Sequence, residues 1–220
     1  QIPIYGFICA AIAGALLSIL FAILTQYIMS NQVATGLGLT MVGLGLSALI
    51  GKPYEGIRSP TLSKIEIPIL SDIPILGPMI FSHDAIVYFS IILVGTVAFV
   101  ISKTRVGLVL RAVGENQEAA HALGYKVVRI RFLAIMFGGA TAGIGGAYIS
   151  LARVPQWTEG MTAGAGWIAL ALVVFASWKP WRVLLGAYLF GGITVLQLNL
   201  QAIGVALSLI HISEPTRPIR

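Results

Sequence analysis

Residues that could carry out covalent or metal chemistry are few in this sequence and lie far apart. The three histidines, His83, His121 and His211, form no common motif, and no HExxH zinc motif occurs. Cys9 is the only cysteine, so an internal disulfide is excluded and the redox compartment stays open. We therefore expect that this chain is not an enzyme and that it binds no metal.

A glycine-containing stretch at residues 45–53, GLSALIGKP, looks like a phosphate-binding loop but has the wrong spacing. Five residues separate Gly45 from Gly51, which is one too many, and Pro53 follows Lys52 where the motif requires Ser or Thr. This stretch is not a nucleotide site.

One polar stretch, RAVGENQEAAHALGYKVVRIR at residues 111–131, interrupts an otherwise apolar chain. Asn116 is a suitable N-cap, Glu118 lies in the first turn, where the helix dipole favours an acid, and Gly124 is a typical C-terminal stop. The pattern predicts a short helix at residues 117–123, about 10 Å long.

This predicted helix is too short and too polar to cross a membrane. Ala119 and Ala120 are expected to present a face of low relief, on which another protein could pack closely. Its flanks are expected to enter membrane helices at once, so it could pass the movement of a cytoplasmic partner to them. The pattern alone slightly favours the alternative, a solvated cytoplasmic loop.

The elements that position these residues are predicted to be membrane helices. The chain is 57% hydrophobic and only 10% charged, and its mean hydropathy of +0.92 exceeds what one soluble core can hide. A spanning helix needs about 20 mainly apolar residues. The sequence therefore predicts an all-α polytopic transmembrane helix bundle with six spans, at residues 5–28, 33–50, 84–101, 132–152, 161–178 and 183–205. A signal peptide is a poor alternative for the first span, which lacks a basic leading region.

Basic residues predict the orientation, because cytoplasmic loops carry an excess of Lys and Arg. They cluster between the third and fourth spans and between the fifth and sixth: Lys103, Arg105, Arg111, Lys126, Arg129, Arg131, Lys179 and Arg182. Both connections are predicted to be cytoplasmic, and the segment 52–83, which also carries acids, is predicted to lie outside. The turn at residues 30–32 is then cytoplasmic although it has no basic residue.

The predicted spans are nearly free of charge. Apart from Asp84 at the start of the third span, they contain no Asp, Glu, Lys or Arg. Ion-driven carriers usually need such a group inside the membrane to bind the coupling ion. The pattern favours a transporter with an external energy source and a neutral solute. An ion-gradient-driven carrier or channel is the alternative, and a structural membrane scaffold without transport is a third class.

Small residues recur at every fourth position in FGGATAGIGGAY and predict two bare helix faces. One face is Gly139, Gly143 and Ala147, and the other is Gly138, Ala142 and Gly146. Such stripes allow close helix approach in lipid. Each stripe is either a static contact or a seam along which helices slide.

The segment 52–83 contains five of the ten prolines and a repeated IPIL, at residues 67–70 and 73–76. Proline disfavours regular strand and helix there. We expect an extended loop at the membrane interface, which either caps a pathway or meets a partner, or is only a connector.

Five stretches of the sequence resemble one family of transport proteins. They are GENQEAAHALG, NQVATGLGLT, SDIPILGP, FGGATAGIGGAYISL and WTEGMTAGAGWIALALVVFASWKPWRVLLGAYLFGG. The sequence resembles ABC-transporter permeases of the branched-chain amino acid, ribose and nucleoside type, the inner membrane components of binding-protein-dependent transport systems. The resemblance extends to about residue 205 and is strongest to simple-sugar and nucleoside permeases.

This resemblance implies a coupling element that docks into a cleft on a separate ATPase subunit. By position in the motif, it comprises Gly114, Glu115, Asn116, Glu118, Ala119, Ala120 and Gly124. ATP and Mg would be bound by that ATPase, so no cofactor is expected on this chain. The other implied partners are a second permease subunit in a heterodimer, an extracytoplasmic solute-binding lipoprotein and membrane lipid, with no nucleic acid. The implied location is the cytoplasmic (inner) membrane of a prokaryote, which the chain crosses several times.

The implied solute is small, neutral and polar, a nucleoside or a simple sugar. Polar and aromatic residues near or inside the spans are candidates for its pathway, although each of them more often has a structural role. These candidates are Asn31, Gln32, Trp157, Glu159, Trp167, Gln197 and Asn199.

Both ends of the sequence depart from the family pattern. Relatives have additional spans before and after this region, so we expect a fragment whose permease domain occupies residues 1–206. The stretch LSLIHISEPTRPIR resembles a translated sequencing adaptor, and residues 207–220 are expected to be non-native.

Overall fold

A computed structural model of the chain describes residues 2–58, 64–66 and 82–202. These residues form eight α-helices: α1 (Ile2–Gln26), α2 (Gln32–Gly51), α3 (Ala85–Lys103), α4 (Arg105–Glu115), α5 (Gln117–Ala122), α6 (Val127–Tyr148), α7 (Ala165–Phe175) and α8 (Pro180–Ala202). The predicted all-α bundle is confirmed. The chain divides into two compact units, one up to Gly166 and one from Trp167 onward.

Five of the helical segments are long and apolar enough to cross a membrane: Ile4–Gln26, Gln32–Tyr54, Ala85–Lys103, Val127–Arg153 and Pro180–Gln201. Many large apolar side chains on them are exposed, such as Leu16, Met41 and Ile92. This is the pattern of helices whose outer faces meet lipid. Five of the six predicted spans are therefore confirmed, with their ends shifted by up to five residues.

The fifth predicted span, at residues 161–178, is wrong as a full crossing. Only α7 forms there, and its 11 residues extend for about 16 Å, roughly half the thickness of a hydrocarbon core. Gly160 and Gly164 have positive φ angles of 73° and 79°, so no helix can begin before Ala165. At the other end, Ser177 and Trp178 also have positive φ and stop the helix.

Within the first unit, α1 packs along α6 in antiparallel orientation. Gly6 lies opposite Leu151, and Gly14 lies opposite Gly139. The turn at residues 30–32 is therefore at the same end of the unit as the basic start of α6. At the opposite end, the Tyr148 hydroxyl donates a hydrogen bond to Asp84 before α3 (3.4 Å). This placement of ends matches the alternation predicted from charge, and which end faces the cytoplasm stays a prediction.

The contact between α1 and α6 depends on one of the two predicted glycine faces. A Cβ on Gly14 would collide with the carbonyl oxygen of Gly139, and one on Gly143 would collide with that of Ala10. A Cβ on Gly139 would collide with Ser18. Backbones in such direct contact form a static interlocking contact, which favours the static alternative for this face.

The second glycine face has a different environment. A Cβ on Gly138 or Gly146 would meet nothing within 4 Å among the described atoms, and Ala142 is exposed. This face makes no close helix contact within the described part of the chain, so only one of the two predicted bare faces is a close contact there.

Helix α4 was not expected from the sequence. It lies between α3 and the polar helix, so the prediction that the polar helix joins membrane helices directly on both sides is wrong on its N-terminal side. Thr104 begins α4 by accepting a hydrogen bond from the Gly107 amide (3.2 Å). Gly107 packs directly on the last turn of α3, where a Cβ would collide with the Val100 carbonyl oxygen.

The proline-containing segment after α2 is only partly described. A 3₁₀ turn covers Lys52–Tyr54, and two short antiparallel strands, β1 (Lys64–Glu66) and β2 (Ser82–Asp84), pair with each other. A 3₁₀ turn and two short strands thus occur in this segment, although the sequence predicted no regular secondary structure there. The IPIL repeat at 67–76 and the tail at 207–220 lie outside the described residues.

Candidate coupling helix and solute cavity

The polar helix α5 is built as its sequence predicts, but it is one residue shorter. The side-chain oxygen of Asn116 accepts a hydrogen bond from the Ala119 amide (3.0 Å) and caps the helix start. Gly124 follows the helix with φ of 86°, and its amide donates to the His121 carbonyl (2.9 Å). A side chain at Gly124 would be strained at this angle, which explains why glycine suits this stop.

Helix α5 packs against α4 and α6 through one small buried residue, Ala120. Ala120 is 2% exposed and packs with Val113 of α4 and Val127 of α6, which are themselves nearly buried. The partly buried side chains of Val109 and Ile130 surround this cluster. Displacement of α5 must therefore act on the first residue of α6.

The prediction that Ala120 belongs to an exposed face is wrong. The face of this six-residue helix that meets α4 and α6 carries Ala120, which packs with Val113 and Val127. Ala119 is exposed as predicted, and so are the other members of the predicted coupling element: Gly114, Glu115, Asn116, Glu118 and Gly124.

A cavity of about 720 Å³ lies at the other end of the first unit. It is bounded by α1, α2, the end of α6 and the loop residues 157–162. Along α2 it extends from Ala48, close to the Gly51 end, to Thr40. The rise from Thr40 to Gly51 is about 16 Å, so the cavity reaches about the middle of that helix.

The polar groups of this cavity are mostly neutral hydroxyls, set in an otherwise largely apolar wall. Five hydroxyl groups line it, from Thr40, Ser47, Ser150, Thr158 and Thr162. None of the five was predicted, because isolated Ser and Thr residues are common in spans and in loops. A signal was present in α2, where Thr40, Gly43 and Ser47 recur at the spacing of one helix face.

The wall formed by α6 is irregular. Residues Ile149–Arg153 continue α6 as a π-helix, and Ser150 and Leu151 of this segment line the cavity. Irregular backbone at membrane depth is tolerated where it is buried in protein or lines a cavity, and π-helical turns often occur at functional sites. The π-helix is therefore consistent with a functional cavity.

Two of the seven predicted pathway residues, Trp157 and Glu159, line the cavity. The indole ring of Trp157 occupies the space where Gly51 has no side chain. Backbone bridges join Trp157 to Glu55 and Gln156 to Arg58, so the loop is tied to the segment after α2.

Asn31 and Gln32 are not brought together with these two. Asn31 accepts hydrogen bonds from the amides of Val33 and Ala34 (3.0 and 3.1 Å), and therefore caps α2 at the end opposite the cavity, beside Gln32. The remaining three, Trp167, Gln197 and Asn199, belong to the second unit. Within it, the Asn199 amide donates to its own helix at the Val195 carbonyl (3.0 Å).

No group of three or more metal-ligating side chains occurs among the described residues. The candidate site thus consists of a neutral cavity at one end of the unit and a capped, supported helix at the other. A neutral cavity and a supported helix at opposite ends of one unit are suited to moving a solute.

Comparison with known proteins agrees with this geometry. The family model for the permease component of the branched-chain amino acid transport system matches residues 1–212. The chain belongs to this permease family. With its five apolar helices, this permease is a multi-pass membrane protein.

Curated relatives of this permease include transporters of sugars and nucleosides. A putative glucose ABC transporter permease of Haloferax volcanii is 39% identical over 206 residues, which are 92% of this chain and 63% of the relative. A guanosine ABC transporter permease of Bacillus subtilis is 34% identical over 199 residues, 86% of this chain and 61% of the relative. A nucleoside ABC transporter permease of Lactococcus lactis is 31% identical over 199 residues, 88% of this chain and 63% of the relative. The chain thus spans less than two thirds of the length of these relatives, and no solved structure matches it.

Proposed function

We propose that this permease forms the membrane-spanning part of an ATP-driven importer. Its solute is a small neutral polar molecule, a nucleoside or a simple sugar, which it moves across the cytoplasmic membrane. The names of three relatives, permeases for glucose, guanosine and nucleosides, support this solute class. The hydroxyl-lined cavity supports it independently, because hydroxyl groups match the hydroxyls of such solutes.

The observation that carries the proposal is the support of α5 by α6. Glu118 and Ala119 face outward, while Ala120 is buried against Val127, the first residue of α6. At its other end, α6 contributes Gly146 and Ala147 to the cavity. A partner that pushes on the exposed face of α5 would therefore move the wall of the solute cavity through one continuous helix.

The energy source in this proposal is a separate ATPase subunit, which binds ATP and Mg, so that this chain needs no cofactor. A second permease subunit and an extracytoplasmic solute-binding lipoprotein complete the assembly. The family of ABC permeases supports such a system. The predicted spans contain no Asp, Glu, Lys or Arg except Asp84 at the start of the third, and this supports an external energy source over a coupled ion.

The proposal is tested with the complete permease, its ATPase and its receptor in proteoliposomes. Ala119→Trp places a bulky group on the exposed face of α5 and should abolish ATP-dependent uptake of guanosine or glucose while insertion and folding are retained. Ser102→Trp, which is exposed near the end of α3 at the same end of the unit, is the matched control and should leave uptake unchanged.

Vanadate should stop uptake by the unmodified assembly, because it traps the ATPase. Uptake that resists vanadate but stops when ion gradients are collapsed would instead identify an ion-driven carrier. If the Ala119→Trp variant takes up solute at the rate of the unmodified assembly, α5 does not couple the permease to the ATPase.

A further inference from the structure

We infer that the 720 Å³ cavity is a binding site for a neutral polyhydroxylated ring solute, with Glu159 as the residue that rejects phosphorylated analogues. The ligand class comprises monosaccharides and the ribose part of nucleosides. This inference rests on the proposed function, and it adds where the solute is held and how charge selection is achieved.

Three cavity hydroxyls are available to a ligand. The side chains of Ser47, Thr158 and Thr162 have no hydrogen-bond partner among the described residues, whereas Thr40 and Ser150 donate to carbonyls of their own helical segments. Each hydroxyl can donate one hydrogen bond and accept others, as each hydroxyl of a sugar ring can. A site built from such groups binds a polyol and discriminates against apolar analogues that leave them unpaired.

Trp157 adds an aromatic surface to these hydroxyls. Its indole is held against Gly51, and its backbone is bridged to Glu55, so the ring is fixed in the cavity wall. Aromatic side chains provide a large apolar surface for the carbon face of a sugar ring or for a base. Because the Trp157 ring is already held in place, solute binding costs little side-chain conformational entropy there.

The volume fits this ligand class. Small-molecule sites usually enclose about 300 to 1,000 Å³, and the cavity has about 720 Å³. A nucleoside or a monosaccharide therefore fits with some water beside it.

Glu159 supplies charge selection. It is the only Asp, Glu, Lys or Arg among the residues that line the cavity. A phosphate group would face its carboxylate without a lining cation to offset the repulsion. Glu159 is exposed to water, so this repulsion acts at short range, on a phosphate group that comes close to the carboxylate. Neutral solutes meet no such barrier and can donate hydroxyl hydrogen bonds to the carboxylate.

The test measures occupancy of the cavity directly, without the receptor, which has a selectivity of its own. In the complete permease, Cys9→Ser removes the cysteine of the described region and Ser47→Cys places a thiol in the cavity. Labelling by N-ethylmaleimide is timed with and without millimolar guanosine, glucose, guanosine monophosphate or glucose 6-phosphate. Any cysteine in the remainder of the complete permease is replaced as well.

At least one of the two neutral compounds should slow labelling of Ser47→Cys several-fold, while its phosphorylated form should not. Adding Glu159→Gln should extend protection to the phosphorylated form. Thr96→Cys in α3 is the control, because Thr96 is exposed and does not line the cavity. The Thr96 hydroxyl donates a hydrogen bond to a carbonyl of its own helix (2.8 Å), as the hydroxyl of the cavity residue Thr40 does (2.9 Å). Its labelling should not respond to any of the four compounds.

The inference is overturned if neither neutral compound protects Ser47→Cys, or if the phosphorylated forms protect equally while Glu159 is present. If uptake by the complete assembly is still vanadate-sensitive, such a result would contradict only the binding site in the cavity, and the proposed importer function would stand. Loss of ATP dependence in uptake would instead contradict the proposed function, whatever the labelling shows.

Discussion

Gly139 and Gly138 are adjacent in the sequence and differ completely in what surrounds them. Gly139 contacts Ser18 and Gly14 of α1, and Gly138 has open space beside it. The four-residue spacing predicted both faces equally, because it reports only which residues share a side of α6. The side of α6 that meets α1 depends on the position of α1 in the folded chain. The spacing of small residues within α6 does not contain that position.

Gly139→Ala should therefore destabilise the contact between α1 and α6 by about 1–3 kcal/mol, the usual cost of overpacking. The added methyl group would collide with Ser18, and the two backbones would have to separate. The expected result is a lower midpoint temperature for unfolding in detergent. Gly138→Ala is the matched control and should keep or slightly raise the midpoint, because alanine favours the helix by up to about 1 kcal/mol. Equal losses in both variants would contradict the interlocking contact.

At the scale of elements, the short helix α5 was predictable because its signals are local. The Asn116 cap and the Gly124 stop act within one turn of the residues that they terminate. The burial of Ala120 was not predictable, since it depends on Val113 and Val127 from two other helices. The short α7 was missed because hydropathy counts apolar residues and overlooks the left-handed glycines at 160 and 164.

Asn116→Ala should loosen α5 by about 1 kcal/mol, the usual cost of losing an N-cap. Amide hydrogen exchange should then speed up in residues 117–122, while exchange in α6 beyond its first turn should stay unchanged. Asn116→Asp retains an oxygen that can accept the Ala119 hydrogen bond, and it should preserve slow exchange. If both variants exchange alike, the cap does not hold the helix.

At the scale of the whole molecule, five of the six predicted spans and the alternation of their ends follow from composition and charge, because hydropathy and the distribution of Lys and Arg reflect the membrane itself. The cavity does not follow from either of these, since α1, α2, the π-helical end of α6 and a loop contribute to it from distant parts of the sequence. Only Trp157 and Glu159 were predicted there, and the hydroxyl groups became recognisable once the helices were placed side by side.

The central claim is that α5 faces the cytoplasm while the cavity opens on the opposite side of the membrane. In a permease without other cysteines, Glu118→Cys, Gln32→Cys and Thr158→Cys are each labelled on intact cells with a membrane-impermeant thiol reagent. Thr158→Cys should react at once, and the other two should react only after the membrane is permeabilised. Labelling of Glu118→Cys in intact cells would contradict the account, because a helix on the outer side cannot contact an ATPase in the cytoplasm.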